Sequence, residues 1–455
     1  MSQRNSARPG GSLSVFDAVI IMVGLVVGIG IFRTPSIVAG NVDNEFTFIA
    51  VWIAGGFVTL IGALCYAELA ASHPHAGGEY HFLSRAYGKP VAVLFGWARG
   101  TVIQTGAIAG VAFVFGDYAA QILPLGPHGP ALYAAMSIIL FTGINVIGTL
   151  QSKTLQVGMT LIEVGAIVAI IAFGLLGPAA PAETQPVAQT GQLGLAMIFV
   201  LLTYGGWNET AYLTGELKNA ESNIPKVLMT GTAILVTLYV LTNLALLSIL
   251  GLDGLRNSEA VAADMMHRVA GPSGAFIVSL AIVVAAVSTL NATIFTGARV
   301  YYAMARDLTL LPRVGEWNER GKTPANGLIL QAIVALALVA LGAATRDGFK
   351  AMVDYTAPVF WAFLLLVGLG LFVLRRREPQ RILPYKVPLY PLTPILFCLT
   401  CLYMLHASIA YTGIAGLFGL AVLAAGVPLL FFRRREAETI AGAVPAGDIP
   451  TDYKP

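Results

Sequence analysis

Gly24-Leu25-Val26-Val27-Gly28-Ile29-Gly30-Ile31-Phe32 lies in the middle of the first apolar segment of the chain. Each glycine in a helix interior costs about 1 kcal/mol relative to alanine, so the helix is expected to loosen here. In lipid, loosened N–H and C=O groups need another partner. Non-helical backbone at membrane depth persists only where it is buried in protein or lines a cavity, and there it can bind something polar. The stretch is therefore a candidate substrate site at Gly28 to Gly30. A second account is that Gly24 and Gly28 form a small-xxx-small pair that only lets another helix come close.

The chain has 455 residues, of which 56% are hydrophobic and 11% charged. Soluble domains carry roughly 25% charged residues, so a soluble enzyme is excluded. Apolar segments lie at 14–40, 46–71, 91–123, 129–149, 154–177, 191–215, 226–250, 273–304, 327–344, 351–374, 391–411 and 413–432. About 20 apolar residues span a bilayer, which makes about twelve transmembrane helices by length and an all-α polytopic membrane protein. Met1 to Gly11 is polar and the run after it has no small-residue cleavage site, so the first segment is expected to stay as a membrane helix.

Placement of Lys and Arg sets orientation. One set of connections holds most of them, from Arg4, Arg8, Arg85 and Lys89 through Arg375-Arg376-Arg377 to Arg433-Arg434-Arg435. The alternate set holds only Arg256, Arg268, Arg346 and Lys350, with Arg33 near the outer end of the first helix. The rich side is expected to be cytoplasmic, both termini included, in the cell (inner) membrane. Nothing points to nucleic acid. Cys65, Cys398 and Cys401 fall inside apolar segments, and Cys398-x-x-Cys401 lacks a second ligand pair. They read as packing residues, with no metal or cofactor.

The sixth segment repeats the peculiarity of the first: Tyr204-Gly205-Gly206-Trp207-Asn208 interrupts it as Gly28-Ile29-Gly30 interrupts the other. Two glycine-interrupted segments five helices apart point to a transporter built from inverted repeats. The expected division is a cytoplasmic tail at 1–13, repeat 1 at 14–177, repeat 2 at 191–374, two peripheral helices at 391–432 and a second tail at 433–455.

Four sets of residues carry a resemblance. They are Gly28-Ile29-Gly30-Ile31-Phe32; Tyr66-Ala67-Glu68-Leu69 with Pro74, Gly77-Gly78, Tyr80 and Ala86-Tyr87-Gly88; Tyr204-Gly205-Gly206-Trp207-Asn208 with Glu216-Leu217, Asn219 and Asn223-Ile224-Pro225; and Asn291, Phe295-Thr296, Arg299, Ala305-Arg306-Asp307 and Leu311-Pro312. In this order the chain resembles the amino acid/polyamine/organocation superfamily, and within it the bacterial relatives of the L-type amino acid transporters. The resemblance implies a LeuT-like fold of five helices plus five inverted, unwound helices one and six, and alternating access of an amino acid at a midplane site. By motif position, the amides of Ile29 and Gly30 would hold the substrate carboxylate and the carbonyls of Val26, Leu202 and Gly205 its ammonium. Tyr204 and Gly206 would complete the site. Trp207 and Asn208, with Leu202, would gate it. Helix dipoles agree: a half-helix N-terminus favours an anion, and unwound carbonyls favour a cation.

Two positions depart from the relatives. Leu202 stands where an aromatic gate is usual, and Glu163 stands where many relatives have a lysine. A carboxylate at membrane depth is costly, and desolvation favours its neutral form, so Glu163 is a candidate carrier of a coupling proton; otherwise it is a neutral or paired structural glutamate. Ser288, Thr289 and Asn291 would face helix one where sodium-coupled relatives place hydroxyl ligands, although membrane hydroxyls commonly just bond a neighbouring helix. Glu68, Glu209 and Asp117, near helix ends, read as gating or capping groups. Gln104 and Thr105 are pocket candidates whose helix face the sequence leaves open.

The expected activity is secondary transport of neutral amino acids with broad specificity, as a proton-coupled symporter or an exchanger. A polyamine or other amine permease is the alternative, disfavoured because no acidic set lies close in sequence to either interruption. A channel lacks its repeated selectivity element, and a membrane enzyme lacks a reactive cluster at one depth. His73 and His75 would make a poor metal pair. Eukaryotic L-type relatives join a glycoprotein through a cysteine between helices three and four; Leu123 to Pro130 contains none, so no disulfide-linked partner chain is expected.

Overall fold

The computed structural model describes residues 13–28, 30–75, 77–148, 153–177, 192–307, 312–316, 318, 323–345 and 347–432. Ile29, the segment 178–191, Leu311, Trp317 and both expected tails, apart from Leu13, lie outside the described residues.

The chain is a bundle of helices: α1 (Val15–Val26), α2 (Gly30–Ala39), α3 (Glu45–Ser72), α4 (Gly78–Tyr87), α5 (Lys89–Ala98), a π turn (Arg99–Ile103), α6 (Gln104–Ile122), α7 (Gly129–Ile147), α8 (Lys153–Leu176) and α9 (Leu193–Thr203). After a 3-10 stretch (Trp207–Gly215) come α10 (Ala220–Arg256), α11 (Val261–Asp307), α12 (Ala325–Ala343), α13 (Gly348–Arg377), α14 (Leu392–Tyr411) and α15 (Gly413–Ala424). No strand is named among the described residues.

Among the described residues, ten helical segments are long and apolar enough to cross a membrane, and α1 with α2 makes an eleventh if the pair, bent by 47°, is one span. The expected sixth span does not meet the length criterion. Its helix stops after 11 residues and continues only as the 3-10 stretch. The interval 251–271, which looks like a polar connection in the sequence, is largely helical. Gly251 (φ 67°) and Gly271 (φ 68°) bend the chain at its two ends, in a backbone region that favours glycine. Val261, Ala262, Met265 and Met266 bury one face of that piece.

Local chemistry fixes the ends. Ser14 caps α1, its hydroxyl accepting from the Asp17 amide at 3.1 Å while the Asp17 carboxylate accepts from the Ser14 amide at 3.1 Å. Asn44 caps α3 and Asp347 caps α13 in the same manner. Gly24 is where α1 meets α8: a Cβ there would lie 2.3 Å from Thr160 Oγ1, so nothing larger fits without movement. The three cysteines are buried free thiols.

Candidate functional site

The chain breaks after α1. Gly28 N–H turns to the Val26 oxygen at 2.6 Å instead of continuing the helical ladder. The Gly24 carbonyl thereby loses its helical donor, and α2 restarts at Gly30 with the amides of its first turn lacking intrahelical acceptors. The chain breaks again after α9, where Gly205 N–H turns to Leu202 O at 3.0 Å. Among the described residues nothing donates to the Gly205 oxygen.

The two breaks touch. Gly206 has φ 101°, and a Cβ on it would come within 3.2 Å of the Leu25 oxygen and 3.5 Å of Val26 Cα. Both conformation and space demand glycine here. The hydroxyl of Thr203, the last residue of α9, shares a 2.8 Å hydrogen bond with that of Thr34 on α2, so the second half of the first span is tied to the first half of the sixth.

A cavity of about 250 Å³ opens at this junction. Val26, Gly28, Gly30, Leu202, Gly205, Gly206, Asn208 and Thr289 all line it. A Cβ on Gly28 would meet only ordinary contacts, 3.7 Å to Thr289 Cγ2 and 3.8 Å to Val26 O. Gly28 is thus open to the cavity, whereas Gly24 is a packing glycine; the apparent pair does two separate jobs. The Val26 oxygen already accepts from the Tyr239 hydroxyl at 2.7 Å as well as from Gly28, so an incoming ammonium would displace one of them.

Other expected site residues face elsewhere. Tyr204 is fully buried, its hydroxyl donating to Trp52 O at 3.2 Å and its ring lying 5.0 Å from that of Tyr239. Trp207 packs edge-on against Tyr66, with ring centroids 4.8 Å apart, and against Phe397. Neither lines the cavity. Ser288 is buried off the lining, and Thr105 likewise. Glu163 is completely buried one layer behind, with Thr289 Oγ1 at 3.5 Å from Oε1 and no partner for Oε2 among the described residues. Asn291, by contrast, accepts from Asn145 at 2.7 Å.

Two clusters of charge lie near the breaks, of which only the one at Arg99 lines the cavity. On the α2 side, Arg33 Nη2 meets Asp347 at 2.7 Å and its Nε lies 3.8 Å from Asp117. On the side of α4 and the 3-10 stretch, Arg99 meets Glu79 at 3.2 Å and Glu209 at 2.9 Å. Glu79 accepts four bonds, from Tyr66, Asn208, Arg99 and Tyr212. It is the hub joining α3, α4, the π turn and the 3-10 stretch. The π turn aims Arg99, and two of its carbonyls are met by side chains: the Tyr301 hydroxyl donates to Gly100 O at 2.5 Å and the Tyr355 hydroxyl to Thr101 O at 3.0 Å.

Sequence reasoning missed Glu79 and Arg99, and also the aromatic lining of Phe95, Phe199, Phe360 and Phe363. The signal for the pair was a buried-segment arginine, Arg99, in a span otherwise free of charge until Asp117. Glu68 lies outside the site. Its carboxylate takes two bonds from Arg375 at 2.6 Å each and one from Val387 N at 2.7 Å, clamping α3 to the end of α13. His73 pairs with Glu378, and the rings of His75 and His81 stack 4.3 Å apart.

Similarity to known proteins fits this geometry. The b(0,+)-type amino acid transporter 1 of Homo sapiens is 30% identical over 391 residues, 83% of this chain and 78% of that protein. The serine/threonine exchanger SteT of Bacillus subtilis (strain 168) is 27% identical over 388 residues, 83% of this chain and 86% of SteT. Large neutral amino acids transporter small subunit 2 of Homo sapiens is 28% identical over 393 residues, covering 83% and 72% of the two chains. A family model described as amino acid permease matches residues 13–431. Two broken spans meeting at a central cavity thus sit within a match that runs nearly end to end, and the chain belongs to the amino acid permease family.

Proposed function

We propose that this protein is a carrier that moves amino acids across the cell membrane by alternating access, with the zwitterion bound where the two chain breaks meet. The observation that carries this is the contact of Gly206 with Leu25 and Val26 at the wall of the cavity. The first-turn amides of α2, from Gly30 on, take the carboxylate, because that end of a helix holds about half a unit of positive charge. The Ile29 amide belongs to the same proposal. The open Gly205 oxygen, with Leu202 O and the exchangeable Val26 O, takes the ammonium. Leu202 and Asn208 border the bound substrate, and Trp207 backs the 3-10 stretch that must move.

The repeats, 14–177 and 191–374, are inverted copies that rock around this junction, with 391–432 at the periphery and both termini in the cytoplasm. That orientation rests on the Lys and Arg distribution. The substrates are neutral amino acids. Exchange is favoured by the likeness to the serine/threonine exchanger SteT, and proton symport by the buried, half-satisfied Glu163 behind Thr289.

Uptake by the purified protein in liposomes, across a panel of amino acids, with imposed proton and sodium gradients and with internal amino acid present or absent, tests all of this. Saturable uptake accelerated by internal amino acid is expected of an exchanger. In Glu163→Gln the pH dependence of uptake should flatten; an unchanged profile removes Glu163 from proton coupling. Unsaturable flux would mean a channel.

A further inference from the structure

On the α11 and α6 side of the cavity, the polar side chains present mainly hydrogen-bond acceptors. Thr289, Thr293 and Thr296 recur at i, i+4 and i+7 on α11, so they share one helix face, and all three line the cavity. The hydroxyl protons of Thr293 and Thr296 are already committed. Thr293 donates to Thr289 O at 2.6 Å, Thr296 to Ala292 O at 3.0 Å, and Thr289 points at Glu163 Oε1 from 3.5 Å. A hydroxyl with its proton spent offers only lone pairs to a ligand.

Gln104, on the facing helix α6, completes the wall. Its Nε2 donates to Thr293 O at 3.0 Å and to Thr296 Oγ1 at 3.3 Å. Because Thr293 O can only accept, the amide group must turn its NH2 toward α11, and both of its protons are used there. Oε1 is left without a partner among the described residues, on a side chain that lines the cavity, and it is not among the atoms sealed from solvent. Gly297 makes this placement feasible: a Cβ there would collide with Gln104 Cγ at 2.6 Å.

The wall is in register with the chain breaks, since Gly28 abuts Thr289. The one cation lining the cavity among the described residues, Arg99, is already engaged by Glu79 and Glu209.

We propose, resting on the carrier function above, that Gln104 Oε1 and the hydroxyl oxygens of Thr289, Thr293 and Thr296 form the side-chain subsite, and that it selects amino acids whose side chains carry a hydrogen-bond donor. Hydroxyl and carboxamide side chains satisfy the wall. A methyl group of the same shape leaves it unmet, and a carboxylate, an acceptor only, is repelled. Gln104 and the threonines are the specificity-determining residues.

The test uses the full chain in liposomes with L-threonine against L-valine, which differ by hydroxyl for methyl, and L-asparagine against L-aspartate. The expected preference of wild type for threonine over valine is about three- to tenfold, the worth of one ordinary hydrogen bond. That ratio should fall toward one in Gln104→Leu and part of the way in Thr293→Val and Thr296→Val. A merely structural role would lower uptake of both substrates and leave their ratio alone. A wild-type ratio near one, a ratio unchanged in all three variants, or aspartate carried as well as asparagine overturns the inference. Should Gln104→Leu fail to fold, the wild-type ratio and the two threonine variants still decide. Absence of any amino acid transport overturns the carrier function itself, and the subsite with it.

Discussion

The Tyr239 hydroxyl donates to the Val26 carbonyl across 2.7 Å, while the Tyr239 ring packs on Tyr204 at the other break. One side chain of α10 therefore connects the two interruptions. Tyr239→Phe keeps the ring and frees the Val26 oxygen. It should lower thermal stability by about 1 kcal/mol, the net worth of a buried hydrogen bond. It should also enlarge the rise in melting temperature on adding substrate, because the freed carbonyl becomes available to the ammonium. A substrate-induced shift no larger than in wild type would take Val26 out of the ammonium site.

Gly24 and Gly28, four residues apart, should respond oppositely to the same change. Gly24→Ala drives a methyl into Thr160 and is expected to cost about 1–3 kcal/mol through overpacking, visible as a lower melting temperature in detergent. Gly28→Ala has room, so the protein should fold normally. Its methyl projects into the cavity, so KM should rise. Equal losses of stability in the two variants would contradict the division of labour drawn here.

Arg99 holds Glu79 and Glu209 at once with a planar fork that lysine lacks. Arg99→Ala leaves two carboxylates without their cation and should cost about 3–5 kcal/mol, measured as loss of monodisperse protein on size exclusion. Glu209→Gln is milder, because an oxygen can still accept from Arg99. It should loosen the 3-10 stretch and speed labelling of a Leu202→Cys reporter by about fivefold, roughly 1 kcal/mol in the opening equilibrium. No change in labelling would mean that this pair does not hold the cavity closed on that side.

Burial pushes the Glu378 carboxyl up, but hydrogen bonds from Arg85, Arg381 and His73 outweigh it and hold the group at about 2. A carboxyl depressed in the folded state contributes stability above its unfolded value of roughly 4.3. That contribution is lost as pH falls through the folded value. Burial, with the charge of Arg381, lowers the His73 pKa below its ordinary value. Melting curves should accordingly show Glu378→Gln destabilised by the same margin at pH 7 and pH 5, with the margin shrinking only below about pH 4. A margin that vanished between pH 7 and pH 5 would rule out this clasp.

How much of this was readable beforehand differed by element. The breaks were legible because glycine clusters carry their meaning locally, at 28–30 and 205–206 alike. The direction a side chain takes from a broken helix is not local. Tyr204 and Trp207 look like site residues by position, yet the turn at 204–206 sends both rings into α3, α10 and α14. Gln104 could be placed on neither face from sequence, since the π turn just before it shifts the register of the helix. Arg99 was legible only as a lone arginine in an apolar segment, and Glu79 not at all, because its four donors come from segments that only the fold assembles.

A π turn holds one residue more than an α turn, so α5 and α6 are two halves of one helix with a spare residue between them. Loss of a single codon there, Gly100 for example, would let the segment close as a regular α-helix, with the two halves kept in register and the side chains of the turn itself re-aimed. Arg99 would swing off Glu79 and Glu209, while Gln104 and the rest of α6 kept their places. Length at this point is thus as constrained as chemistry: the turn needs its extra residue to aim Arg99.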